Sequence, residues 1–483
     1  MVHGAEAVGG GVQARPFSPR RFWIGSLVAL LFYALTPLGR AFGDGVDLGL
    51  ALEAGGGSHH WLLAQLGRGL CALGFSGEEA VRWLSLAPMA LAVGCIAGAV
   101  GPGVAALVAL APSVWFFATT AEVHGLQCFG ATVAVLAVWS KPHVFGWRRS
   151  LLCLMAAAAV PLFHPVLVGL APLFLLLAVP PGPWRRALSW LVLLAGPLLA
   201  LAAGPLAAQL DWVAYLDTTS NIGDQGKALP ARIAEFGALA PRDYLDFAWA
   251  EFVLPFGVLG PLAVLGWLGA WRRGSAEALP FLAVLVANLF ALALVGIREL
   301  GGYPIGLVAP MALGTSAALG SSCARRWVLL VLLVTQFLLA WDLREGYRAE
   351  GRDDAFAREV LAELERREVP PMGAWLLTVR NSRWRSVSLA GGPPGVDVRY
   401  ALDPLPARAR PAAARRMAEL AAGYVRGGGL LLVDPALFGG GPGLSNTRAL
   451  VRELEQRFEL VPLGPQVSEL RPRAPARAQE EDP

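Results

Sequence analysis

The sequence has few of the residues that keep a globular protein soluble or cross-linked. Charged residues make up only 16% of the 483 residues, and five residues are cysteine. No cysteine lies after residue 343, so we expect no disulfide in the C-terminal part of the chain. The chain also lacks an internal repeat, a Walker phosphate loop, a zinc-ligand spacing and a Gly-x-Ser-x-Gly elbow. Any catalytic site in this chain must therefore be built from residues outside these known motifs.

The abundance of apolar residues predicts the class of protein. Hydrophobic residues make up 55% of the chain and the mean hydropathy is +0.53, values typical of a polytopic membrane protein. The first apolar stretch, Phe22–Leu38, follows three arginines as the apolar part of a signal peptide would. However, Pro37 and Arg40 end it without a small-residue cleavage pattern. We therefore expect a retained first span after a cytoplasmic N-terminal tail, residues 1–21.

Pairs of arginine mark one side of the predicted membrane. Each pair lies between apolar runs, and the positive-inside rule places such loops in the cytoplasm, together with the N-terminus. The pairs are Arg148 and Arg149, Arg185 and Arg186, Arg272 and Arg273, and Arg325 and Arg326. This assignment leaves the C-terminus outside.

With this anchor, the apolar runs of residues 22–343 predict about eleven transmembrane helices. The stretch from Ser150 to Val179 is long enough for one tilted helix of about 45 Å, but cytoplasmic arginines flank both of its ends. Because Pro161, His164 and Pro165 interrupt it, we predict two short spans with His164 at the outer turn. The predicted spans are Phe22–Leu38, Trp83–Val100, Val104–Thr119, Val123–Trp139, Leu151–Phe163, Val166–Val179, Leu188–Ala207, Phe252–Trp271, Leu279–Val295, Ile305–Leu319 and Trp327–Trp341.

The predicted outer side receives two long loops, residues 39–82 and 209–251. Within the first loop, the leucines of Trp61–Phe75 are spaced for one helical face, which predicts an amphipathic helix at the membrane interface.

Residues 344–470 differ in composition from the apolar part. Charged helical runs such as Phe356–Glu368 alternate with strand-like runs, which predicts a small soluble α/β domain outside the membrane. The sequence Gly427–Gly429 precedes a strand and predicts a turn rather than a phosphate loop. Residues 471–483 are rich in Pro, Ala, Arg and Glu and predict a disordered tail. The expected strands are Ala374–Val379, Val396–Tyr400 and Leu430–Asp434.

Polar residues collect on the predicted outer side of an otherwise apolar chain. Ionisable groups near a bilayer are costly and are usually kept for function, so we expect an active site there. Its candidate residues are Asp44, Asp47, His59, His60, Glu122, His124, His164 and Arg298.

Several of these residues form a series of short motifs. Asp44-Gly45-Val46-Asp47 follows the first span, and His59 comes fifteen residues after Asp44. Later, Ala121-Glu122-Val123-His124 opens a span, and Phe163-His164-Pro165 follows. The series resembles the bacterial protein O-mannosyltransferase-like family of the GT-C superfamily over about residues 22 to 300. The chain departs from the family pattern at Asp47, where the family has Glu, at residues 60–62, where it has Pro-Pro-Gly, and at His124, where it has Tyr.

The resemblance implies a GT-C-like membrane glycosyltransferase of the bacterial inner membrane. Such an enzyme moves a sugar from a polyprenyl-phosphate carrier to a protein, lipid or glycan acceptor on the outer face. A carboxylate can activate a hydroxyl acceptor as general base, and Asp44 is the first choice, with Asp47 and Glu122 as further catalytic residues. Hydrogen-bonding or cationic groups can stabilise the leaving phosphate, and we expect this of the histidines and Arg298. No nucleic-acid partner is expected.

Other interpretations stay open at this point. Asp44 and Asp47 could be solvated loop carboxylates near a helix start, and Glu122 could be a structural cap. His164 could bind backbone groups that are freed at a kink. Arg298 could mark the membrane boundary. A flippase or transporter of a lipid-linked sugar would share the polar residues, although the inverted repeats typical of transporters are not visible. An inactive scaffold is a third hypothesis, favoured by the missing Pro-Pro-Gly. Two neighbouring carboxylates could also hold one divalent metal ion or none.

Overall fold

The fold is known for most of the chain. The computed structural model describes residues 16–38, 48–49, 51–52, 60–139, 146–207, 241–295, 301–320, 325–350, 352–378, 383, 387, 391–398, 402, 410–439 and 447–473. These residues divide between two compact units. The first contains residues 1–39 and 51–347, and the second residues 40–50 and 348–483.

The first unit is helical throughout its described residues. Short 3₁₀ segments, Pro165–Leu170 and Tyr303–Leu307, and a π-helical turn, Trp249–Val253, separate some of the helices. The α-helices are α1 Pro19–Leu35, α2 Trp61–Ala72, α3 Gly77–Ala99, α4 Pro102–Ala109, α5 Pro112–Thr119, α6 His124–Trp139, α7 Trp147–Phe163, α8 Ala171–Ala178, α9 Pro183–Ala207, α10 Pro241–Ala248, α11 Leu259–Arg272, α12 Ala278–Val295, α13 Val308–Leu319 and α14 Arg325–Glu350.

The described helices support a membrane protein but do not confirm eleven spans. By length and composition, α3 and residues 326–343 of α14 could each cross a membrane, and the bent pair α4 and α5 would make a third span if it crosses as one. Four apolar helical stretches are shorter, 10–17 residues. Large apolar side chains cover the outside of α1 and α14, with Trp23 65% and Trp327 74% exposed. Exposed apolar surface of this extent is typical of lipid-facing helices.

Proline divides several of the predicted spans. The predicted span Val104–Thr119 is two helices bent by 67° at Leu110–Ala111. Proline at position 112 has no N–H and restricts the residue before it to extended backbone, and Ala111 has φ −62° and ψ 131°. The predicted break at His164 is confirmed, because α7 ends at Phe163 and His164 is extended. The Ser150 hydroxyl donates to the Ala178 carbonyl over 2.9 Å, so α7 and α8 form a hairpin.

Small residues bring α1 and α3 together. A Cβ added to Gly25 of α1 would lie 2.7 Å from the Cβ of Ala97, and a Cβ added to Gly94 of α3 would overlap the hydroxyl of Ser26. Side chains of this size let helix backbones approach, which compensates for the weak hydrophobic drive between helices in lipid. Helix α3 also has a capping box, since Ser76 and Glu79 each accept from the other's backbone N–H.

The arginine pairs lie at helix ends rather than in loops, and two of them share one carboxylate. Arg149 near the start of α7 contacts Glu277 at 3.0 Å, and Arg185 near the start of α9 contacts it at 3.4 Å. Glu277 itself directly precedes α12. Arg149 and Arg185 are 7% and 2% exposed. The three helices therefore begin on the same side of the unit, in agreement with the predicted common side of these arginines.

The second unit contains a five-stranded sheet. Its strands are β1 Ala374–Thr378, β2 Gly395–Asp397, β3 Leu430–Val433, β4 Phe458–Pro462 and β5 Ser468–Pro472, in the order β2-β1-β3-β5-β4. The pairs β1–β2 and β1–β3 are parallel, with Leu376 opposite Leu432, and the β3–β5 and β4–β5 pairs are antiparallel. The helices of this unit are α15 Arg352–Arg366, α16 Arg410–Arg426 and α17 Arg448–Arg457.

Both faces of this sheet are covered. Leu376 and Leu432 pack with Phe356 and Val360 of α15, whereas the alternate residues Leu377 and Leu431 pack with residues of α16 and α17. Strands buried on both sides are apolar at every position rather than at every second one, as the sequence of β3 shows. The predicted α/β class agrees with this sheet.

The sequence analysis predicted three of the five described strands. The hairpin of β4 and β5 was not predicted, because its two five-residue strands, FELVP and SELRP, contain charged residues and the hairpin directly follows a charged helix. Strand β5 ends at Pro472, so the predicted disordered tail begins two residues too early. The turn at Gly427–Gly429 is confirmed, and Gly428 has a positive φ of 87°.

The shared carboxylate should be important for stability. We expect Glu277→Gln to lower the free energy of unfolding by about 3 kcal/mol, because two largely buried guanidinium groups lose their counter-charge. The measurement is denaturant or thermal unfolding of the purified protein in detergent. The control is Glu78→Gln, which breaks the i,i+4 pair with Arg82, whose side chain is 38% exposed; it should change the free energy by about 1 kcal/mol or less. Equal losses in the two variants would contradict the structural role of Glu277.

Candidate functional site

The described structure contains four of the eight predicted site residues. Glu122, His60, His124 and His164 are described, whereas Asp44, Asp47, His59 and Arg298 lie outside the described residues. The roles of these last four stay predictions.

Three histidines from distant parts of the sequence lie together. The ring centroids of His60 and His164 are 4.7 Å apart, and those of His124 and His164 are 5.7 Å apart. The ring of Tyr303 lies 6.1 Å from His124 and 6.2 Å from His164. The chain has only six histidines, so half of them meet at this point. All three are at most 5% exposed.

Each histidine is positioned by the end of a helix. His60 directly precedes α2, His124 is the first residue of α6, and His164 joins α7 to the following 3₁₀ helix. Helix ends leave backbone groups without intrahelical partners. The cluster therefore lies where side chains and irregular backbone, rather than continuous helices, determine the shape of the site.

The orientation of His124 follows from its hydrogen bonds. Gln127 Nε2 donates to the Tyr303 carbonyl at 2.8 Å, which turns Gln127 Oε1 toward His124 Nδ1, 2.7 Å away. An amide oxygen only accepts, so Nδ1 of His124 carries the proton. In the neutral ring, Nε2 is then the atom that can accept a proton.

His164 has the opposite tautomer. Its Nδ1 accepts the backbone N–H of Val166 at 3.2 Å, so in the neutral ring the proton is on Nε2. This bond replaces one that the break at Pro165 removes, which agrees with the structural interpretation of His164. The same bond orients the ring so that Nε2–H is a donor. The cluster therefore combines one imidazole that donates through Nε2 with one that accepts through Nε2.

The walls of the cluster are tightly packed. Phe117 lies edge-on to His124, with ring centroids 4.4 Å apart. A Cβ added to Gly302 would lie 2.6 Å from His124 Nε2 and 2.9 Å from Phe117 Cζ. Only glycine therefore fits at position 302 without a shift of His124 or Phe117.

Glu122 is fully buried, and its backbone is bound to a neighbouring helix. The hydroxyl of Ser85 in α3 accepts from the Glu122 N–H at 2.8 Å and donates to the Glu122 carbonyl. The carboxylate accepts the N–H of Val123 at 2.7 Å, a capping contact before α6. A structural role of Glu122 is thus supported by these bonds, and its catalytic role stays a prediction.

The sequence analysis missed residues that hold the cluster in place. Gln127 and Tyr303 were not predicted, and neither was Glu251, which is 2% exposed and accepts the N–H of Gly301 at 3.0 Å. Gly301 has a φ of +79°, so this loop depends on glycine and on a buried carboxylate. An ionisable residue at the start of the predicted span Phe252–Trp271 was the signal that could have identified Glu251.

The cluster is suited to hydrogen bonding with an anion. Among the described residues, no group of three or more His, Cys, Asp or Glu side chains could hold a metal ion. Imidazole N–H groups at the ends of helices can donate to phosphate oxygens, and such bonds are stronger in surroundings from which water is excluded.

The packing of Gly302 leads to a prediction. Gly302→Ala should destabilise the protein by about 1–3 kcal/mol, the usual effect of extra methyl groups in a packed site, because His124 or Phe117 must move. The measurement is thermal unfolding in detergent. The control is Gly69→Ala in α2, where an added Cβ meets nothing within 4 Å and alanine should stabilise the helix by up to about 1 kcal/mol. Stabilisation by both substitutions would contradict the close packing of Gly302 against His124 and Phe117.

Comparisons with known proteins do not establish a family. No protein-family model and no curated protein matches the chain. Among solved structures, the cryo-EM structure of arabinofuranosyltransferase AftD from mycobacteria is similar over 96% of this chain, at 17% sequence identity and a TM-score of 0.37. The chain spans 41% of the length of that protein. A likeness at this level identifies neither a family nor an activity, so the O-mannosyltransferase-like resemblance stays a prediction.

Proposed function

We propose that the protein is a membrane glycosyltransferase that transfers a sugar from a polyprenyl-phosphate carrier to a hydroxyl acceptor. The observation that carries the proposal is the buried cluster of His60, His124 and His164. His124 and His164 lie in the short motifs of the sequence series, and His60 directly follows His59 of that series. His60 and His124 stand at positions where the chain departs from the O-mannosyltransferase-like pattern, so the carrying observation is that three distant segments meet.

The proposed reaction is a displacement at the anomeric carbon. The acceptor oxygen forms a bond to that carbon while the bond from the carbon to the carrier phosphate oxygen breaks. The bonding electrons leave with the phosphate, and the acceptor proton moves to a carboxylate. We assign this proton to Asp44, with Asp47 orienting Asp44, because a hydroxyl is a poor nucleophile until a base accepts its proton.

The histidines would act on the leaving group. Charge builds up on the phosphate oxygens as the bond to the sugar breaks, and donors already in place stabilise it without reorganisation. His164, whose Nε2 is a donor in the neutral ring, and His60 beside it suit this role. We add His59 and Arg298 as further phosphate-binding residues on the basis of the sequence. Gln127 and Tyr303 would position His124 without touching the substrate.

The location of the cluster agrees with chemistry on the predicted outer side. Helix α7 begins beside the Arg149–Glu277 pair and ends at His164. Its 17 residues correspond to about 25 Å at 1.5 Å per residue. The arginine-rich side and the histidine cluster are thus at opposite ends of α7. We propose that the histidine end faces the periplasm or exterior, as does the α/β domain of residues 344–470.

The test is a transfer assay with purified protein and a panel of radiolabelled polyprenyl-phosphate sugars. Asp44→Asn should reduce turnover by about 10² or more, the scale of a general-base contribution, and Asp47→Asn should reduce it less. His164→Asn retains an acceptor for the Val166 N–H but removes the Nε2–H donor, so it should also lose about 10² in turnover with little change in the unfolding temperature.

The matched control is Asp246→Asn, because the side chain of Asp246 is 60% exposed and, among the described residues, forms an ion pair with Arg242 of the same helix alone, at 3.7 Å. This variant should retain full turnover. Transfer that survives in both Asp44→Asn and His164→Asn would contradict the proposed roles. Carrier translocation without transfer would favour a flippase. Loss of a cellular phenotype only on deletion of residues 344–483 would favour a scaffold.

A further inference from the structure

A cavity lies at the arginine-rich end of the helical unit, away from the histidine cluster. Its volume is about 480 Å³, within the range of about 300–1,000 Å³ that is usual for ligand sites. The start of α9 forms one wall, and the turn between α11 and α12 forms the other. The residues that determine its chemistry are Arg185, Arg186, Ser189, Trp271 and Ser275.

The cavity is electropositive for a structural reason. Arg149 and Arg185 are both largely buried, yet in the part of the chain that the structure describes they share one carboxylate, Glu277. One positive charge of this group is therefore not balanced there by a protein carboxylate. Arg186 also lines the cavity, and among the described residues its guanidinium makes neither an ion pair nor a hydrogen bond. Arg185 is buried and poorly solvated, so it favours an anionic partner, and the exposed Arg186 beside it adds a second positive charge.

Two further features favour an anion at this position. The cavity includes the first turn of α9, and the start of a 25-residue helix has a positive partial charge with backbone N–H groups directed outward. A guanidinium group forms paired hydrogen bonds with phosphate oxygens, and a phosphate group is small enough for this cavity.

The surroundings of the cavity are those of a membrane interface. Trp184 is 78% exposed, and Trp190 and Trp271 lie edge-to-face with ring centroids 5.9 Å apart. Tryptophan next to arginine is typical of the boundary between lipid and water. Leu188, which is adjacent in sequence to the lining residue Ser189, is 40% exposed, and the lining residue Trp271 is 39% exposed, so apolar surface for an acyl chain lies next to the polar cavity.

We propose that this cavity binds the phosphate group of an anionic phospholipid, with Arg186 and Arg185 holding the phosphate and the α9 surface in contact with an acyl chain. The site is distinct from the histidine cluster and does not depend on the proposed glycosyl transfer. A lipid is favoured over a soluble phosphate because exposed tryptophan and leucine side chains adjoin the cavity.

The experiment measures binding of phosphatidylglycerol to the purified full-length chain in zwitterionic detergent. Native mass spectrometry gives the retained lipid, and the unfolding temperature gives the stabilisation. Phosphatidylglycerol should bind more tightly than phosphatidylcholine and raise the unfolding temperature. Arg186→Gln should weaken this binding about tenfold, the effect of losing one charge-assisted interaction.

The matched control is Arg326→Gln, since Arg326 is also exposed beside a tryptophan, Trp327, but does not line the cavity. The affinity of Arg326→Gln for phosphatidylglycerol should stay within about twofold of that of the unmodified chain, because one surface charge contributes little once it is screened by salt. Equal weakening in both variants, or no preference for phosphatidylglycerol, would overturn the proposal.

A second arm distinguishes the source of the phosphate. Inorganic phosphate and glycerol phosphate should not displace bound phosphatidylglycerol at concentrations that leave ionic strength unchanged. If either compound displaces phosphatidylglycerol and the displacement depends on Arg186, the phosphate site is supported but the lipid is overturned as its occupant. Displacement that Arg186→Gln does not affect would overturn the site itself.

Discussion

The ion group of Arg149, Arg185 and Glu277 holds together the starts of three helices of the first unit. Three helix starts that are far apart in sequence, those of α7, α9 and α12, come together through one carboxylate. Arginine is unfavourable in the first turn of a helix, because the helix dipole is positive there. Its presence at two of these starts is explained by the common carboxylate and by the preference of arginine for the cytoplasmic side.

Breaks between helices organise the surroundings of the histidine cluster. The described chain leaves helical geometry at residues 120–123, 164–165 and 301–302, and each break leaves backbone groups that side chains must satisfy. Glu122, His164 and Glu251 do so through Val123, Val166 and Gly301. Polar residues buried among apolar helices thus hold the irregular backbone and at the same time form the surroundings of the histidine cluster. A structural role and a catalytic role of these residues are therefore compatible.

Much of the helical architecture could be predicted, because apolar runs indicate where helices lie and arginine pairs indicate where they begin or end. Each predicted span overlaps a described helical element, and the break at His164 follows from two prolines and two arginine flanks. The number of spans could not be confirmed in the same way. Whether a bent pair such as α4 and α5 crosses the membrane depends on packing around Pro112 rather than on hydropathy. The β4–β5 hairpin was missed because its short strands contain charged residues and lack the apolar run of β3, so they resemble a charged surface segment.

By itself, the sequence determined that the chain is a helical membrane protein with a C-terminal α/β unit and that its histidines are candidate site residues. It could do so because composition and periodicity depend only on which residues are present and in what order. Only the tertiary structure decided that His60, His124 and His164 are neighbours, that Gln127 and Tyr303 set the tautomer of His124, and that two arginines share Glu277. These facts depend on contacts between residues that are far apart in sequence. Gln127 and Tyr303 are 176 positions apart, and the rings of His124 and Tyr303 belong to residues 179 positions apart. No local pattern encodes such contacts, since they arise when helix ends are brought together by packing.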